Sequence, residues 1–492
     1  MFPYKTSIKF DRKCNQPLYL QLSNQIIQFI KHQKLIPNTK LPGSRTLAEQ
    51  LQVHRKTIVA CYEELLLQGW VESIPKKGTF VHRNLPELDQ QKLHDTTVFD
   101  FKKTAGFSFY KNPILPKKPK EKLEKFMYLD DGVSDGRLTP IDDIARTYRR
   151  ISAKKHIYKH LSYVTTFGNN TLREVLANYL SGTRGLRITK DNILITRGSQ
   201  MGIWLSSQLL LKKEDVIVVG STNYGSADST FLNQQTQLKR VSVDENGIVT
   251  DEIEKLCKQE QIKAVYVTSH HHHPTTVTLS AKRRIHLLNL SRQYNFAIIE
   301  DDYDYDFNYN HAPILPLASH DTNGNVIYIG SVCKTVAPVF RIGYLIAPKE
   351  FVDEAAKLRG FVDRQGDALL ELTFADFIKS GDLDRHIRKV MKIYKQRRDL
   401  FCRLLQEELG DFFEFEIPKG GMAVWVKLNS TYSWKAISEV AITHKLEIGT
   451  WERYDIANVG HNCIRIGFAS YNEEEIHELI YRLKKTIFEV VN

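Results

Sequence analysis

Two stretches of the chain, FAIIEDDYDYD at residues 296–306 and VIYIGSVCKT at residues 326–335, decide the fold class. Each begins with a short apolar run, which is typical of a buried strand, and each ends in polar residues. Parallel α/β sheets bind ligands outside the carboxyl ends of their strands. The polar residues that follow these two strands, above all Asp301 and Lys334, are therefore candidates for a binding site.

Predicted strands and helices alternate on both sides of these stretches. Apolar, β-rich runs predict buried strands, and segments with helical periodicity lie between them. The alternation predicts an α/β domain, layered around a mostly parallel sheet. The predicted strands are 193–196, 215–219, 263–268, 296–300 and 326–329, and the predicted helices are 200–211, 250–260 and 280–294.

Three features at strand ends together indicate pyridoxal phosphate (PLP). Residues 197–200, Arg-Gly-Ser-Gln, open a helix, and a helix N-terminus with small residues favours a phosphate. A carboxylate at Asp301 would keep the pyridine nitrogen protonated, and the amine of Lys334 would condense with the aldehyde. Each signal is weak alone, since an acidic cluster after a strand also suits Mg²⁺ or Ca²⁺. Their combination favours PLP, and no metal site is expected.

Residues 15–84 carry a different pattern. They make up most of an N-terminal segment, residues 1–84, that we call the head. Apolar residues between Leu18 and Ile30 form one helical stripe, and Ser44 is a suitable N-cap for a second, short helix. A third helix follows the break at residues 52–54 and is expected to end before Gly69. Residues 71–81 predict a hairpin. Three helices followed by a hairpin are typical of a winged helix-turn-helix.

The head offers basic residues where such a fold contacts DNA. The third helix would enter the major groove by its first residues, and the second helix and the wing would contact phosphates. The residues expected at the start of the third helix are Arg55, Lys56 and Thr57, and those expected at phosphates are Arg45, Lys76 and Lys77.

The charge distribution separates the head from the rest of the chain. Of the net charge of +12, residues 1–86 carry +8, residues 87–126 carry +3, and the remaining 366 residues carry +1. A basic head suggests a polyanionic partner, although a solvated basic surface is the alternative. Residues 85–126 are rich in Pro and Lys and predict an interdomain linker, whose lysines could add nonspecific DNA affinity. The predicted organisation is a head at 1–84, a linker at 85–126 and a body at 127–492.

Composition excludes several classes of protein. No apolar run approaches the ~18–20 residues that a membrane span needs. The first residues lack the apolar segment of a secretory signal. The six Cys show no CxxC spacing, which suggests reduced thiols in the cytoplasm and not a disulfide framework or a zinc cluster.

The head resembles the GntR-type winged-helix regulators, on the strings LPGSRTLAEQL (41–51), CYEELLLQGW (61–70) and KKGTFV (76–81). From about residue 128 the chain resembles fold-type I PLP aminotransferases. The matching strings are ITRGSQMGIWL (195–205), IIEDDYDYDFNY (298–309) and CIRIGFA (463–469), together with the lysine stretch. The combination is most similar to the MocR-type subfamily of GntR regulators.

The resemblance implies a role for particular residues of this chain. Lys334 would be the Schiff-base lysine, and Arg465 would hold the carboxylate of an effector. Asp301 is preferred to Asp302 for the pyridine nitrogen, because strand alternation directs only one of them at the ring. The other implied cofactor contacts are Tyr303 at the phenolic oxygen, Tyr224 and His271 at the ring, and Ser199, Gln200, Ser331 and Arg341 at the phosphate.

The sequence also departs from the family pattern. Residues 268–280 read TSHHHHPTTVTLS, where relatives show a His-Gln-aromatic-Pro string, and Cys333 replaces a serine. Residues 270–273 could bind metal adventitiously, but neighbouring residues of one loop rarely give tetrahedral geometry. His54 stands where the family usually has a small capping hydroxyl. These departures leave the effector's identity and full transaminase chemistry open.

The resulting interpretation is a PLP-dependent transcriptional regulator. Its aminotransferase-like body would sense an amino compound, or PLP itself, through an aldimine on Lys334. By resemblance it would act as a head-to-tail homodimer on double-stranded DNA. Two alternatives stay open: an active aminotransferase with an appended DNA-binding domain, and a DNA-binding protein whose body has lost PLP.

Overall fold

The computed structural model describes residues 2–85, 104–114, 123–309, 314–332, 334–449, 451–455 and 460–491. Much of the predicted linker, and Cys333, lie outside these ranges. The chain forms two compact units, an N-terminal unit Met1–Tyr110 and a C-terminal unit Lys111–Asn492. In the described ranges, no helix has both the length and the apolar character that a bilayer crossing requires.

Among its described residues, the N-terminal unit contains four helices and one hairpin. Its elements are α1 (Tyr4–Ser7), α2 (Leu18–Lys31), α3 (Ser44–Leu51), α4 (Arg55–Leu67), β1 (Val71–Ile74) and β2 (Gly78–Val81). Strands β1 and β2 pair antiparallel, with Val71 opposite Val81. The core joins Leu22 and Ile26 of α2 to Leu47 of α3 and Leu65 of α4.

The ends of α3 and α4 refine the sequence-based expectations. Ser44 is the first residue of α3 and not its N-cap, which is Gly43. His54 caps α4, since its ring Nδ1 accepts a hydrogen bond of 3.3 Å from the backbone N–H of Lys56. An imidazole nitrogen thus accepts the capping hydrogen bond in place of the hydroxyl that the family usually has. Gly69 follows α4 with φ +75°, as predicted for the glycine after a helix end.

The C-terminal unit contains eleven helices and fourteen strands among the described residues. The helices are α5 (Ile141–Ser152), α6 (Asn170–Arg184), α7 (Ser199–Leu210), α8 (Gly225–Leu232), α9 (Thr250–Gln259), α10 (Ala281–Tyr294), α11 (Lys349–Val362), α12 (Ala368–Lys379), α13 (Asp382–Leu409), α14 (Trp434–Ala441) and α15 (Glu473–Val491). The strands are β3 (Met127–Leu129), β4 (Ile193–Thr196), β5 (Val216–Gly220), β6 (Gln237–Val241), β7 (Val243–Asp244), β8 (Gly247–Ile248), β9 (Ile262–Val267), β10 (Ala297–Asp302), β11 (Val326–Ser331), β12 (Gly343–Ile346), β13 (Phe413–Phe415), β14 (Ala423–Leu428), β15 (Leu446–Ile448) and β16 (Cys463–Gly467).

A seven-stranded sheet in the order β4-β12-β11-β10-β9-β5-β6 forms the centre of this unit. All neighbours are parallel except β12, which is antiparallel to both β11 and β4. The prediction of a mostly parallel α/β sheet is confirmed. Helices cover both faces: Ile299 of β10 packs in a cluster with Ile203 of α7, and Ile298 packs with Leu287 of α10.

A second, smaller sheet completes the unit. Strands β13, β14 and β16 are antiparallel, and their apolar faces pack against α13 and α15. This sheet carries Arg465 on β16, opposite Trp425. Strands β3 and β15 form a short parallel pair. Asp130 and Asp131 directly follow Leu129, the last residue of β3.

Candidate cofactor and effector site

The register of the large sheet brings the ends of several strands to one edge. Ser331 at the end of β11 is opposite Gly343, and Gly343 is opposite Thr196 at the end of β4. On the other side of β11, Gly330 is opposite Asp302 at the end of β10. The helix-opening turn, the acidic residues and the lysine loop therefore start from the same edge, as the sequence predicts.

The turn from β4 into α7 forms the phosphate end of the site. Gly198 has φ +78°, and a Cβ at this position would lie 2.7 Å from Arg341 Nη2. This Nη2 donates a hydrogen bond of 2.6 Å to the carbonyl oxygen of Arg197. The guanidinium of Arg341 thus covers the first turn of α7. Glycine is required there for its conformation and for the space.

Three further residues predicted at the phosphate lie at this end. Ser199 is the half-buried first residue of α7. Gln200 donates from Nε2 to Thr230 Oγ1 at 2.8 Å, and its Oε1 is buried with no hydrogen-bond partner among the described residues. The hydroxyl of Ser331 donates to the carbonyl oxygen of Ile342 at 3.2 Å.

Asp301 and Asp302 face opposite sides of β10. Asp301 accepts a hydrogen bond of 2.8 Å from the hydroxyl of Tyr266, which packs on the α7 face of the sheet. Asp302 accepts from Tyr328, which belongs to the cluster on the other face. Burial raises the pKa of Asp301 to about 7, and its Oδ1 has no partner among the described residues. One oxygen of a buried carboxyl group is therefore available to a donor other than the described residues.

Lys334 extends from the loop after β11, with its Nζ 2.5 Å from the carbonyl oxygen of Gly132. Burial lowers the pKa of its amine; Asp131 opposes this effect, and the nearby guanidinium of Arg465 adds to it. A lowered pKa increases the fraction of neutral amine, which is the nucleophilic form.

Four polar side chains surround the carboxylate of Asp131; these five residues together we call the Asp131 cluster. Asp131 lies 2.9 Å from His273 Nε2, accepts a hydrogen bond of 2.9 Å from Tyr454, and lies 3.3 Å from Arg465 Nε and 4.0 Å from Arg453 Nη2. Burial opposes ionisation of Asp131, but His273, Arg465 and Arg453 hold its pKa well below the usual range.

Four members of the Asp131 cluster, namely Asp131, His273, Arg453 and Tyr454, line a cavity of about 670 Å³. Tyr224 and Gln200 line the same cavity. The ring of Tyr224 lies edge-on to His273, with 5.2 Å between ring centroids. The hydroxyl of Tyr303 donates to the carbonyl oxygen of His271 and accepts from Arg465 Nη2 at 3.3 Å.

The four consecutive histidines each have a different partner. His270 lies 3.2 Å from Asp302 and His271 lies 2.9 Å from Asp304, while His272 contacts the hydroxyl of Thr275 at 2.8 Å. His273 alone contacts Asp131 and lines the cavity. Burial lowers the pKa of His272 to about 3. The four rings do not converge on a point where they could hold one metal ion.

Sequence reasoning missed part of this site. Asp131, Arg453 and Tyr454 line the cavity, yet none was singled out. His271, the residue expected at the cofactor ring, is directed at Asp304, and His273 stands at the cavity instead. The pair Asp130-Asp131 directly after β3 was a usable signal, since polar residues after a strand had located Asp301.

The residues present suit PLP. The unpartnered Oδ1 of Asp301 suits a protonated ring nitrogen, and Lys334 provides an amine with a lowered pKa. At the glycine turn the guanidinium of Arg341 lies beside the first turn of α7, and both would attract an anion. These groups would hold the ring and the phosphate at opposite ends of one cofactor.

The predicted DNA contacts lie on the surface of the N-terminal unit. Arg45, Arg55, Lys56, Lys76 and Lys77 are exposed, and Thr57 is half-buried at the start of α4. Arg55 Nε lies 3.4 Å from Ser44 Oγ, so the first turns of α3 and α4 are adjacent. The two lysines occupy the turn of the β1–β2 hairpin, as the pattern predicted.

Comparisons with known proteins agree with both units. The model of the family "Aminotransferase class I and II" matches residues 125–483. The model of the family "Bacterial regulatory proteins, gntR family" matches residues 18–81. The chain is 28% identical over 478 residues to the uncharacterized HTH-type transcriptional regulator YdfD of Bacillus subtilis, with 97% of each chain covered. It is 24% identical over 416 residues to the probable rhizopine catabolism regulatory protein MocR of Rhizobium meliloti, with 84% of this chain and 82% of that protein covered. The structure of a kynurenine aminotransferase from Pyrococcus horikoshii superposes with a TM-score of 0.70 at 29% identity, over 75% of this chain and 92% of that chain.

Proposed function

Because the chain belongs to the MocR-type subfamily of GntR regulators, with an aminotransferase class I and II domain, we propose that it is a transcriptional regulator controlled by a small amine. Its cofactor is pyridoxal phosphate. One observation carries the proposal: a basic winged helix-turn-helix is joined in one chain to a unit in which Asp301, Lys334 and the turn beside Arg341 lie at one edge of the large sheet. Because the proposed partner is DNA, we propose a cytoplasmic location.

Pyridoxal phosphate, when bound, supplies an aldehyde carbon that condenses with primary amines and exchanges one amine for another. The chain's own residues set the conditions for this exchange. Lys334 provides the resident amine, and burial favours its neutral form. Asp301 would hold a proton on the ring nitrogen through its free Oδ1. Arg341, Ser199 and the N-terminus of α7 would bind the phosphate.

The Asp131 cluster would orient the entering amine on the other side of the ring. Tyr224 and His273 both line the cavity, and their edge-on contact forms one aromatic part of its wall. Arg465 is buried and anchored to the carbonyl oxygen of Pro274 at 3.1 Å. These groups would bind the entering amine in one orientation.

We propose that the protein acts as a head-to-tail homodimer. Support comes from exposed apolar residues on the C-terminal unit, around the contact of Arg364 with the ring of Tyr163 at 4.2 Å. Asp363 in the same segment binds Arg197 at 2.7 Å, next to the phosphate end of the site. Exposed apolar residues that lie near one another on a surface favour a protein partner. Its exposed residues are Tyr158, Leu161, Tyr163, Val164, Phe361 and Val362.

For DNA, we propose that α4 enters the major groove with Arg55, Lys56 and Thr57 at its start. Arg45 and the wing residues Lys76 and Lys77 would contact phosphates on either side. Exchange of Lys334 for an effector amine would then change the DNA affinity. Such coupling is a free energy shared by two sites, so DNA would change the affinity for the amine by the same factor.

An active aminotransferase is the second candidate, favoured by the similarity to the kynurenine aminotransferase. The experiment that separates the two supplies the cofactor-loaded protein with amino donors and keto acceptors, and in parallel selects DNA from a random pool. The regulator predicts a selected DNA sequence and no sustained turnover. Sustained turnover without sequence selection would establish the enzyme instead. The variant Lys334→Ala serves as the control for both measurements.

A further inference from the structure

The guanidinium of Arg465, which by resemblance would take an effector's carboxylate, already faces a carboxylate of this chain. Its Nε lies 3.3 Å from Asp131 Oδ1 and donates a hydrogen bond of 3.3 Å to the main-chain carbonyl oxygen of the same residue. Nη1 donates to the carbonyl oxygen of Pro274 at 3.1 Å, and Nη2 donates to the hydroxyl of Tyr303 at 3.3 Å. The side chain is 1% exposed. All three nitrogens of Arg465 therefore have partners before any ligand enters.

Asp131 is itself held firmly in this position. Besides Arg465, it contacts His273 and the hydroxyl of Tyr454, each at 2.9 Å, and Arg453 lies 4.0 Å away. Displacing the carboxylate would leave the buried Tyr454 hydroxyl and the buried His273 ring without this partner. Buried polar groups that lose a partner carry the full cost of their desolvation.

A ligand with a carboxylate would meet this arrangement unfavourably. To reach Arg465 it must displace Asp131 or place a second negative charge beside it, and carboxylates that share a site repel each other. An amine without a carboxylate needs neither change. The remaining wall of the cavity includes Ile114, Trp204 and Tyr224, which suit an apolar or aromatic tail.

We propose that the site takes a primary amine that has no carboxylate on its amino-bearing carbon, and that Asp131 sets this specificity by occupying Arg465. The inference rests on the proposed function, because it assumes that an amine exchanges with Lys334 on the cofactor. In that exchange the C–N bond to Lys334 breaks and a C–N bond to the ligand forms. The entering amine gives up two protons and the released amine of Lys334 takes up two, so no oxidant or reductant is needed.

The test compares amino acids with the amines that differ from them only by the carboxylate. Three such pairs are L-phenylalanine and 2-phenylethylamine, L-leucine and 3-methylbutylamine, and L-lysine and 1,5-diaminopentane. Each is titrated into the full-length, cofactor-loaded protein, and dissociation constants are read from the absorption spectrum of the cofactor. We expect the amine of the best-binding pair to bind roughly 100-fold more tightly than its amino acid, as a like-charge contact of several kcal/mol implies.

Two variants assign the effect to Asp131. Asp131→Asn removes the charge with little change of shape, and we expect it to strengthen amino-acid binding by at least ~10-fold while amine binding changes by less than ~3-fold. Glu452→Gln is the matched control. It removes one negative charge from an exposed neighbour of Arg453 that does not line the cavity, and the preference should stay unchanged.

The outcomes are distinguishable. Equal or tighter binding of the amino acids to the wild-type protein overturns the inference, whether or not any variant folds. If that binding weakens in Arg453→Gln, the carboxylate is held at Arg453. An amine preference of the same size in Asp131→Asn as in the wild type overturns the role of Asp131. If no compound in any pair changes the spectrum of the bound cofactor, the inference fails together with the proposed amine effector, whereas tight binding of amino acids leaves the proposed function intact.

Discussion

Replacing Asp301 by asparagine should change how the stability of the cofactor-free protein depends on pH. Burial raises the pKa of Asp301 from 3.8 to about 7, so the folded state binds this proton more tightly than the unfolded state. The resulting stabilisation is complete below the unfolded pKa and is lost as the pH rises through the folded pKa. A pKa difference of this size corresponds to about 4 kcal/mol, of which about 3 kcal/mol falls between pH 5 and pH 8.

The assay is urea unfolding of the cofactor-free protein at several pH values, followed in the C-terminal unit. The free energy of unfolding of the wild type minus that of Asp301→Asn should fall by about 3 kcal/mol from pH 5 to pH 8. In Tyr266→Phe the hydrogen bond to the charged carboxylate is missing, so the pKa of Asp301 should rise and the same decrease should shift to higher pH. A difference that is flat across this range would refute the reasoning.

Three further predictions concern the cofactor and DNA. Gly198→Ala should weaken cofactor binding by at least ~10-fold in equilibrium dialysis, because φ is +78° and the new Cβ would collide with Arg341; unchanged binding would contradict the phosphate site. Arg45→Ala should weaken binding to all DNA and reduce the slope of log affinity against log salt by about 0.9, and an unchanged slope would exclude a phosphate contact. Lys56→Ala should alter base preference in a panel of operator variants; equal losses for all of them would show that Lys56 contacts only the backbone.

The large sheet could be predicted because buried parallel strands leave continuous apolar runs in the sequence. All five predicted strands begin within one residue and end within two residues of their observed bounds. The strand predicted at 193–196 has the same bounds as β4. The strand β12 was not among the predicted strands. Its antiparallel course between β11 and β4 is a tertiary property that apolar periodicity does not encode.

The site could be predicted only where its functional side chains lie at or directly after the end of a strand. Alternation along β10 correctly separates Asp301 from Asp302, since the period of a strand is two residues. The pairing of Asp131 with Arg465 joins residues more than 300 positions apart, so local sequence carries no trace of it. In the histidine run, the irregular loop after β9 determines which ring faces the cavity, and neither helical nor strand periodicity applies there.

We propose that amine exchange at Lys334 and DNA binding are coupled. The measurement is the affinity of the cofactor-loaded, full-length protein for its selected operator, by fluorescence anisotropy at fixed salt, with and without a saturating amine. A coupling of 1–3 kcal/mol predicts a change of roughly 5- to 150-fold, absent in Lys334→Ala. An operator affinity that is the same with and without an amine shown by the cofactor spectrum to be bound would contradict the account.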